Sequence, residues 1–482
     1  MTADRDNWTV AAEVCFSPEP SVRARAMELY EVVSDLALVS PHGHVEAALL
    51  ADDSVRLPDP ATLFVTGDHY VTRLLYAHGV AYEELGVEPS DGASHETDPR
   101  AVWRRFCERF HLFQGTPSGL WLKLTLVGVF GVNQRPSAET ADALFDQLSE
   151  ALASPEFGPR ELLRRFKVEH LATTDPAVAS LENHAAAQKA GLNVVPTFRP
   201  DALMQLNDPS WNERLGVLGE RVGFDIDSLE AFVEALRRRR LEFRDRGATS
   251  TDHAIGSAFI DPMDNDRAAV LFDRARSGQV GPGEAGVFHS HMLFEMANMA
   301  TEDGLVMQLH LGSLRNHNQR VMERFGPDMG ADVPVAVDLT RGLQTLLNAF
   351  GYDQRFRLVV YTLDESTYAR ELAPLAGHYP ALRLGSPWWF HDSVNGIERY
   401  LASTVETAGF HKLAGFVDDA RALPTLRARH DVWRRVTCDW LARMELRGLI
   451  DPESTPQLAA WLAHGAAKDA FRVAGTVGGG VG

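Results

Sequence analysis

Cysteine is scarce. The chain has 3 in 482 residues, Cys15, Cys107 and Cys438, and no two form a CxxC pair. That excludes a disulfide framework and a structural zinc knuckle. No stretch approaches the roughly 18 consecutive apolar residues of a membrane span. The opening MTADRDNWTV lacks a basic-then-apolar signal pattern. No GxGxxG follows a predicted strand, which weighs against a doubly wound dinucleotide-binding sheet. Positive charge is also in deficit: 47 Lys and Arg face 66 Asp and Glu, a net charge of −19. The expectation is a reduced, cytoplasmic protein with no nucleic-acid partner and no membrane partner. A local arginine cluster can still reverse the potential inside one pocket and take a small anion.

What is present suits a large α/β protein. Hydrophobic content of 45% and charged content of 23% are ordinary for a globular chain. Residues 21–35 read as a helix that Ser21 caps. Eight apolar runs read as strands: 36–40, 168–175, 192–198, 250–256, 305–312, 357–363, 382–387 and 413–419. Each of those from residue 168 on is followed by helical sequence. Eight strands alternating with helices is the count of a (β/α)8 TIM barrel, here distorted by a helical insertion after the first strand. The predicted divisions are 1–80 (helix, first strand and rim loop), 81–167 (helical insertion or lid), 168–472 (the rest of the barrel) and 473–482 (a Gly-rich, disordered tail).

Polar residues gather at the predicted strand ends. His42 and His44 form an HxH after the first strand, and period-two alternation puts both rings on one side. Two imidazoles joined by Asp419, at the end of the last strand, make a set for one divalent ion. The competing reading is two surface histidines beside a turn. His310 ends the fifth strand and His253 lies near the end of the fourth, so both could point into the same mouth. Arg199, Arg315 and Arg421 fall just after strands and suggest forked hydrogen bonds to an anionic substrate. His69 and Tyr70, in GDHY, are expected on a loop. Trp388 or Trp389 could floor the pocket, or both could be core. Asp418 should point away from Asp419 and be structural. In TTDP, Asp175 reads as the end of a strand and a cap for the next helix. His289 and His291 also spell HxH, but within helical periodicity, where i and i+2 face different ways.

Taken together, MQLHLGSLRNHN, LGSPWWFHDSVNGIER, GFVDDARAL, VVPTFRPD, GDHY and the early HGH resemble the uronate isomerases (glucuronate/galacturonate isomerases), a family of the amidohydrolase superfamily. The resemblance runs from about Leu36 to Arg472. It implies a distorted (β/α)8 barrel and interconversion of an aldohexuronate with its ketohexuronate, such as D-glucuronate with D-fructuronate or D-galacturonate with D-tagaturonate. It implies metal ligation by His42, His44 and Asp419, with His310 nearby. It also implies substrate contacts from His69, Tyr70, Arg199, Arg421 and a tryptophan of the pair Trp388–Trp389. The superfamily's bridging lysine has no counterpart here, so one metal is expected. Zinc leads, and manganese, iron and cobalt suit the same ligands. A homo-oligomer is expected.

The chain departs from the family pattern in places. Leu120, Lys123 and Thr125 stand where two histidines and a glutamate are usual. The segment Val71–Tyr76 keeps Arg73 but loses a tryptophan and an arginine. Ala202 replaces the usual lysine after FRPD. These changes bear on substrate choice more than on reaction type.

Isomerisation through an enediol needs a base at C2, a holder for the developing oxyanion and exclusion of water. Asp419 or a metal-bound water is the candidate base, although a carboxylate shared with a metal is a weaker one. His69 or Tyr70 would shuttle the anomeric proton, and an arginine would clamp the carboxylate. The alternative is a metal-dependent hydrolase or decarboxylase of the same superfamily. A catalytically silent binding protein is a third reading.

Overall fold

A computed structural model of the chain describes residues 8–256, 258–388 and 391–474. Among these, the strands are β1 (Leu38–Ser40), β2 (Val168–Ala172), β3 (Asp175–Pro176), β4 (Val194–Val195), β5 (Phe198–Arg199), β6 (Ser250–Ile255), β7 (Val306–Leu311), β8 (Ser313–Leu314), β9 (Val333–Pro334), β10 (Leu358–Thr362) and β11 (Leu382–Leu384). β2 with β3, and β4 with β5, are two halves of single kinked barrel strands. Both halves pair in parallel, Leu171 with Val194 and Asp175 with Phe198. The parallel order β1, β2/β3, β4/β5, β6, β7, β10, β11 follows the chain. The short antiparallel hairpin β8–β9 was not foreseen.

The predicted eighth strand, 413–419, is not a regular strand. One parallel bridge joins Leu413 to Leu384, and the Ala414 amide donates to the Leu384 carbonyl at 2.8 Å. The ladder then stops, because Gly415 adopts φ +75° and lies so close to the helix Ala466–Ala470 that a Cβ would come 2.6 Å from the Ala467 nitrogen. Closure onto the first strand uses loop contacts. The His44 amide donates to the Ala420 carbonyl at 2.9 Å.

Leucines and valines on the outward sides of the strands pack against the helices in two large cores. The inward residues Val39, Val306, Val359, Tyr361, Ala414 and Val417 share a smaller cluster with Ala467, Ala470, Phe471 and Val473. The last described helix therefore plugs the barrel at the strands' N-terminal ends. Glu169 pairs with Lys468 at 2.8 Å, and Arg357 with Asp469 at 3.1 Å. Arg472 donates to the Gly304 carbonyl at 2.8 Å.

Three local expectations change. Glu19, not Ser21, caps the first helix, Pro20–Val33, by accepting from the Val22 amide. Asp175 lies on β3, accepts from the Thr173 hydroxyl at 2.6 Å, and does not cap the helix Glu182–Lys189. His69 and Tyr70 open a helix, His69–Ala77, because Asp68 caps it by accepting from the Tyr70 amide at 2.8 Å. The chain between β1 and β2 is helical, as expected, but helix begins already at Ala48. Residues 475–482 of the Gly-rich tail lie outside the described residues. Among the described residues, no helix is long and apolar enough to cross a membrane.

Candidate active site

The loop after β1 carries His42 and His44 and is pinned from two sides. The His44 amide reaches Ala420, and Thr174 Oγ1 donates to the Gly43 carbonyl at 3.0 Å. Opposite it, Asp419 holds a left-handed backbone, φ +48°. Its Oδ1 stands 3.0 Å from His44 Nε2 and 3.7 Å from His42 Nε2. Ligands on one tetrahedral zinc, each about 2.0–2.1 Å away, sit about 3.3 Å apart. The two observed separations bracket that value, and Asp419 Oδ1 is buried without a satisfied hydrogen bond. The donor set thus fits a divalent metal. Burial pushes the His42 imidazole down to about 4, which keeps it in the neutral form a metal requires. Burial acts to raise the Asp419 carboxyl, but His44, His42 and Arg429 outweigh it and hold it ionised.

A second group of His42, Asp252 and His310 also converges within ligand reach. Here the carboxylate is already engaged. Asp252 Oδ1 accepts from His310 Nδ1 at 2.8 Å, and its Oδ2 stands 3.5 Å from Arg199 Nη1. Asp252 therefore orients His310, leaving Nε2 as that ring's available nitrogen. The ring is further fixed by stacking on Tyr361, 4.5 Å between centroids, and by the edge of Trp388 at 4.7 Å.

Asp252 was missed from sequence, where His253 was preferred. Neighbours on a strand face opposite ways, and it is Asp252 that faces the cavity. His253 is fully buried, with Nε2 3.0 Å from Thr251 Oγ1, and does not line the cavity. A carboxylate in a buried strand was the available signal, because burying one is costly unless it is paired.

These groups line one cavity of about 620 Å³. It also contains Arg199, Arg214, Arg315 and Arg421. Arg199 is tied to Asp201 and Asp252, Arg214 to Asp208 at 3.0 Å, and Arg315 to Asp332 at 3.1 Å. Arg421 has no carboxylate within 4.0 Å among the described residues.

His69 lines the cavity, and burial, then Arg421, keep its imidazole neutral. Tyr70 stacks behind it, 4.9 Å between centroids, and borders a water-sized void of about 20 Å³ behind Asp419 rather than the main cavity. Its phenol is buried and pushed well above its ordinary value. Trp388 lines the cavity. Trp389 lies outside the described residues. Asp418 is buried and accepts from His430 Nε2 at 3.1 Å, pointing away from the cavity. His291 accepts from the Met263 amide within the helical layer.

The altered family segments lie elsewhere. Among the described residues, none of 81–167 lines the cavity. The segment Gly115–Gly131 is mainly a packed helix, Pro117–Gly128. Val71 and Leu75 are core, whereas Ala202 does line the cavity.

A family model described as glucuronate isomerase matches residues 21–469. A uronate isomerase of Nostoc punctiforme is 48% identical over 460 residues, 95% of this chain and 97% of that protein. One of Rhizobium meliloti is 45% identical over 96% of this chain and 98% of its own length. The crystal structure of glucuronate isomerase from Caulobacter crescentus superposes with a TM-score of 0.94 at 40% identity, covering 98% of both chains. The pairing of those matches with a barrel that brings His42, His44 and Asp419 together places this chain in the glucuronate isomerase (uronate isomerase) family.

Proposed function

We propose that this chain interconverts aldo- and ketohexuronates, D-glucuronate with D-fructuronate and D-galacturonate with D-tagaturonate. The observation that carries the reading is one cavity in which His42, His44 and Asp419 converge while Arg421, among the described residues, has no carboxylate partner. A sugar acid needs those two features at its two ends. Arg421 takes the C6 carboxylate by a forked, charge-assisted contact. Arg199 and Arg315, held in ion pairs, shape the walls, and Trp388 gives the sugar a flat apolar face.

A single divalent ion on His42, His44 and Asp419, zinc in our reading, would polarise the oxygens at C1 and C2. Both histidines address Asp419 Oδ1, which leaves Oδ2 to take the C2 proton and return it at C1. Neutral His69 shuttles the anomeric hydroxyl proton to the ring oxygen O5 as the C1–O5 bond breaks, with Tyr70 backing it. His310, its Nδ1–H given to Asp252, presents Nε2 as an acceptor to a substrate hydroxyl at the reacting end. Three free thiols support a reduced, cytoplasmic setting. A homo-oligomer is our expectation for the assembly.

Proton NMR of the zinc-loaded protein with each uronate in heavy water tests this. Ketose signals should grow in, with deuterium entering at the proton-transfer carbons. A folded, metal-loaded protein that leaves both uronates unchanged would overturn the assignment.

A further inference from the structure

Asp419 does not hold its conformation alone. Its left-handed backbone, φ +48°, is uncommon for a residue with a Cβ even though aspartate tolerates it better than most, and the contacts that hold it set where the carboxylate stands. Arg429, on the long helix Leu426–Leu446, is 4% exposed. Its Nη1 donates to the Asp419 carbonyl at 3.1 Å, and its Nη2 to Asp392 Oδ2 at 2.8 Å. The guanidinium lies over the ring of Trp121, 4.2 Å from the centroid. The next residue, His430, grips the Asp418 side chain. Two consecutive helix residues thus fasten two consecutive loop residues, one by backbone and one by side chain.

We propose that Arg429 is a positioning residue for the metal ligand Asp419, set in place by Asp392 and by the face of Trp121. This rests on the reading of Asp419 as a ligand. Trp121 belongs to the helical insertion, and it also meets Tyr70 edge-on at 5.8 Å. The insertion therefore acts on the reaction from behind the ligand loop. Its helix supplies the surface on which Arg429 rests, and Arg429 sets where the Asp419 carboxylate stands relative to His42 and His44.

The test measures zinc affinity of the apoprotein by competition with a chromophoric chelator. The double variant Arg429→Met/Asp392→Asn removes the pair without changing the local net charge, so any change in affinity reports position rather than field. Zinc affinity is expected to fall about 10- to 100-fold, the usual effect of losing a partner that orients a ligand. The turnover number should fall with it while KM for the uronate stays near wild type. Arg429→Lys, which keeps the charge and a donor, should recover part of the affinity. Wild-type zinc affinity in the double variant, with only the apoprotein's melting temperature lowered, would overturn the proposal. Should the double variant not fold, Trp121→Leu removes the supporting face and leaves the hydrogen bonds; a several-fold loss is expected, and unchanged affinity overturns it. Asp419→Asn is the control. If it binds zinc like wild type, the ligand reading itself fails, a pattern distinct from failure of Arg429 alone.

Discussion

Replacing Arg421 by Met should damage binding far more than chemistry. The cavity's other arginines cannot take over, because Asp201, Asp252, Asp208 and Asp332 already hold them. A hydrogen bond to a charged group contributes about 1.5–3 kcal/mol, and a forked contact at a partly buried guanidinium such as Arg421 about 3 kcal/mol after solvent screening. At 1.36 kcal/mol per decade, that is about a hundredfold in binding. The carboxylate is remote from C1 and C2, so the contact is equally strong in ground and transition states. The loss should appear in KM, with kcat within a few-fold of wild type. Arg421→Lys keeps the charge but not the fork and should raise KM about tenfold. Initial rates over a wide range of D-glucuronate, followed by NMR, separate the two constants. A collapse of kcat with KM nearly unchanged would refute the clamp. It would move Arg421 to the reacting centre, acting through the neighbouring His69.

Three further outcomes follow from the same structure. Chelation should abolish turnover and added zinc restore it, whereas Asp419→Asn should stay inactive with zinc present; activity of either the stripped protein or the variant would count against the metal group. Stability should fall in mild acid, because burial pushes His253 down to about 3 and His170 down to about 4. Below about pH 6.5 the unfolded chain takes up protons that these two refuse when folded, at about 1.4 kcal/mol per histidine per pH unit, or about 4 kcal/mol for both at pH 5. His253→Gln should remove about half of that loss in denaturant titrations at pH 7.5 and pH 5, and an unchanged pH dependence would contradict it. Gly415→Ala should cost about 2 kcal/mol or more, because alanine disfavours φ +75° and its methyl would meet Ala467. Calorimetry that finds the melting temperature lowered by less than about one degree would refute that.

The order of the parallel strands and seven of the eight predicted runs were legible because buried parallel strands are short apolar runs, and β6, β7 and β10 fall within their predicted spans. The residues that meet at the site were legible where they end such runs: His42, His44, His310, Asp419, Arg199, Arg315 and Arg421; Arg214, inside the helix Trp211–Val222, gave no such signal. Asp252 was hidden because a one-residue choice in TDHA selects opposite faces, and apolar periodicity alone does not say which face is inward. The irregular run 413–419 was hidden for a related reason. Its composition is that of a strand, and its conformation depends on Ala467, more than fifty residues later in the chain. Arg429 carries no local signal at all. Its burial is permitted by Asp392, Trp121 and a carbonyl, which only the tertiary structure assembles.

The plug at the strands' N-terminal ends has a consequence for how the chain is made. Ala467, Ala470, Phe471 and Val473 complete the apolar interior, and Asp469 is the partner of Arg357. These residues leave the ribosome after every strand has been synthesised. Until they emerge, the nascent barrel exposes an apolar lining at one end and an unneutralised arginine at its rim. Final consolidation of the interior therefore waits on this helix, and nascent chains that stall before it are the ones that would need a chaperone's shelter.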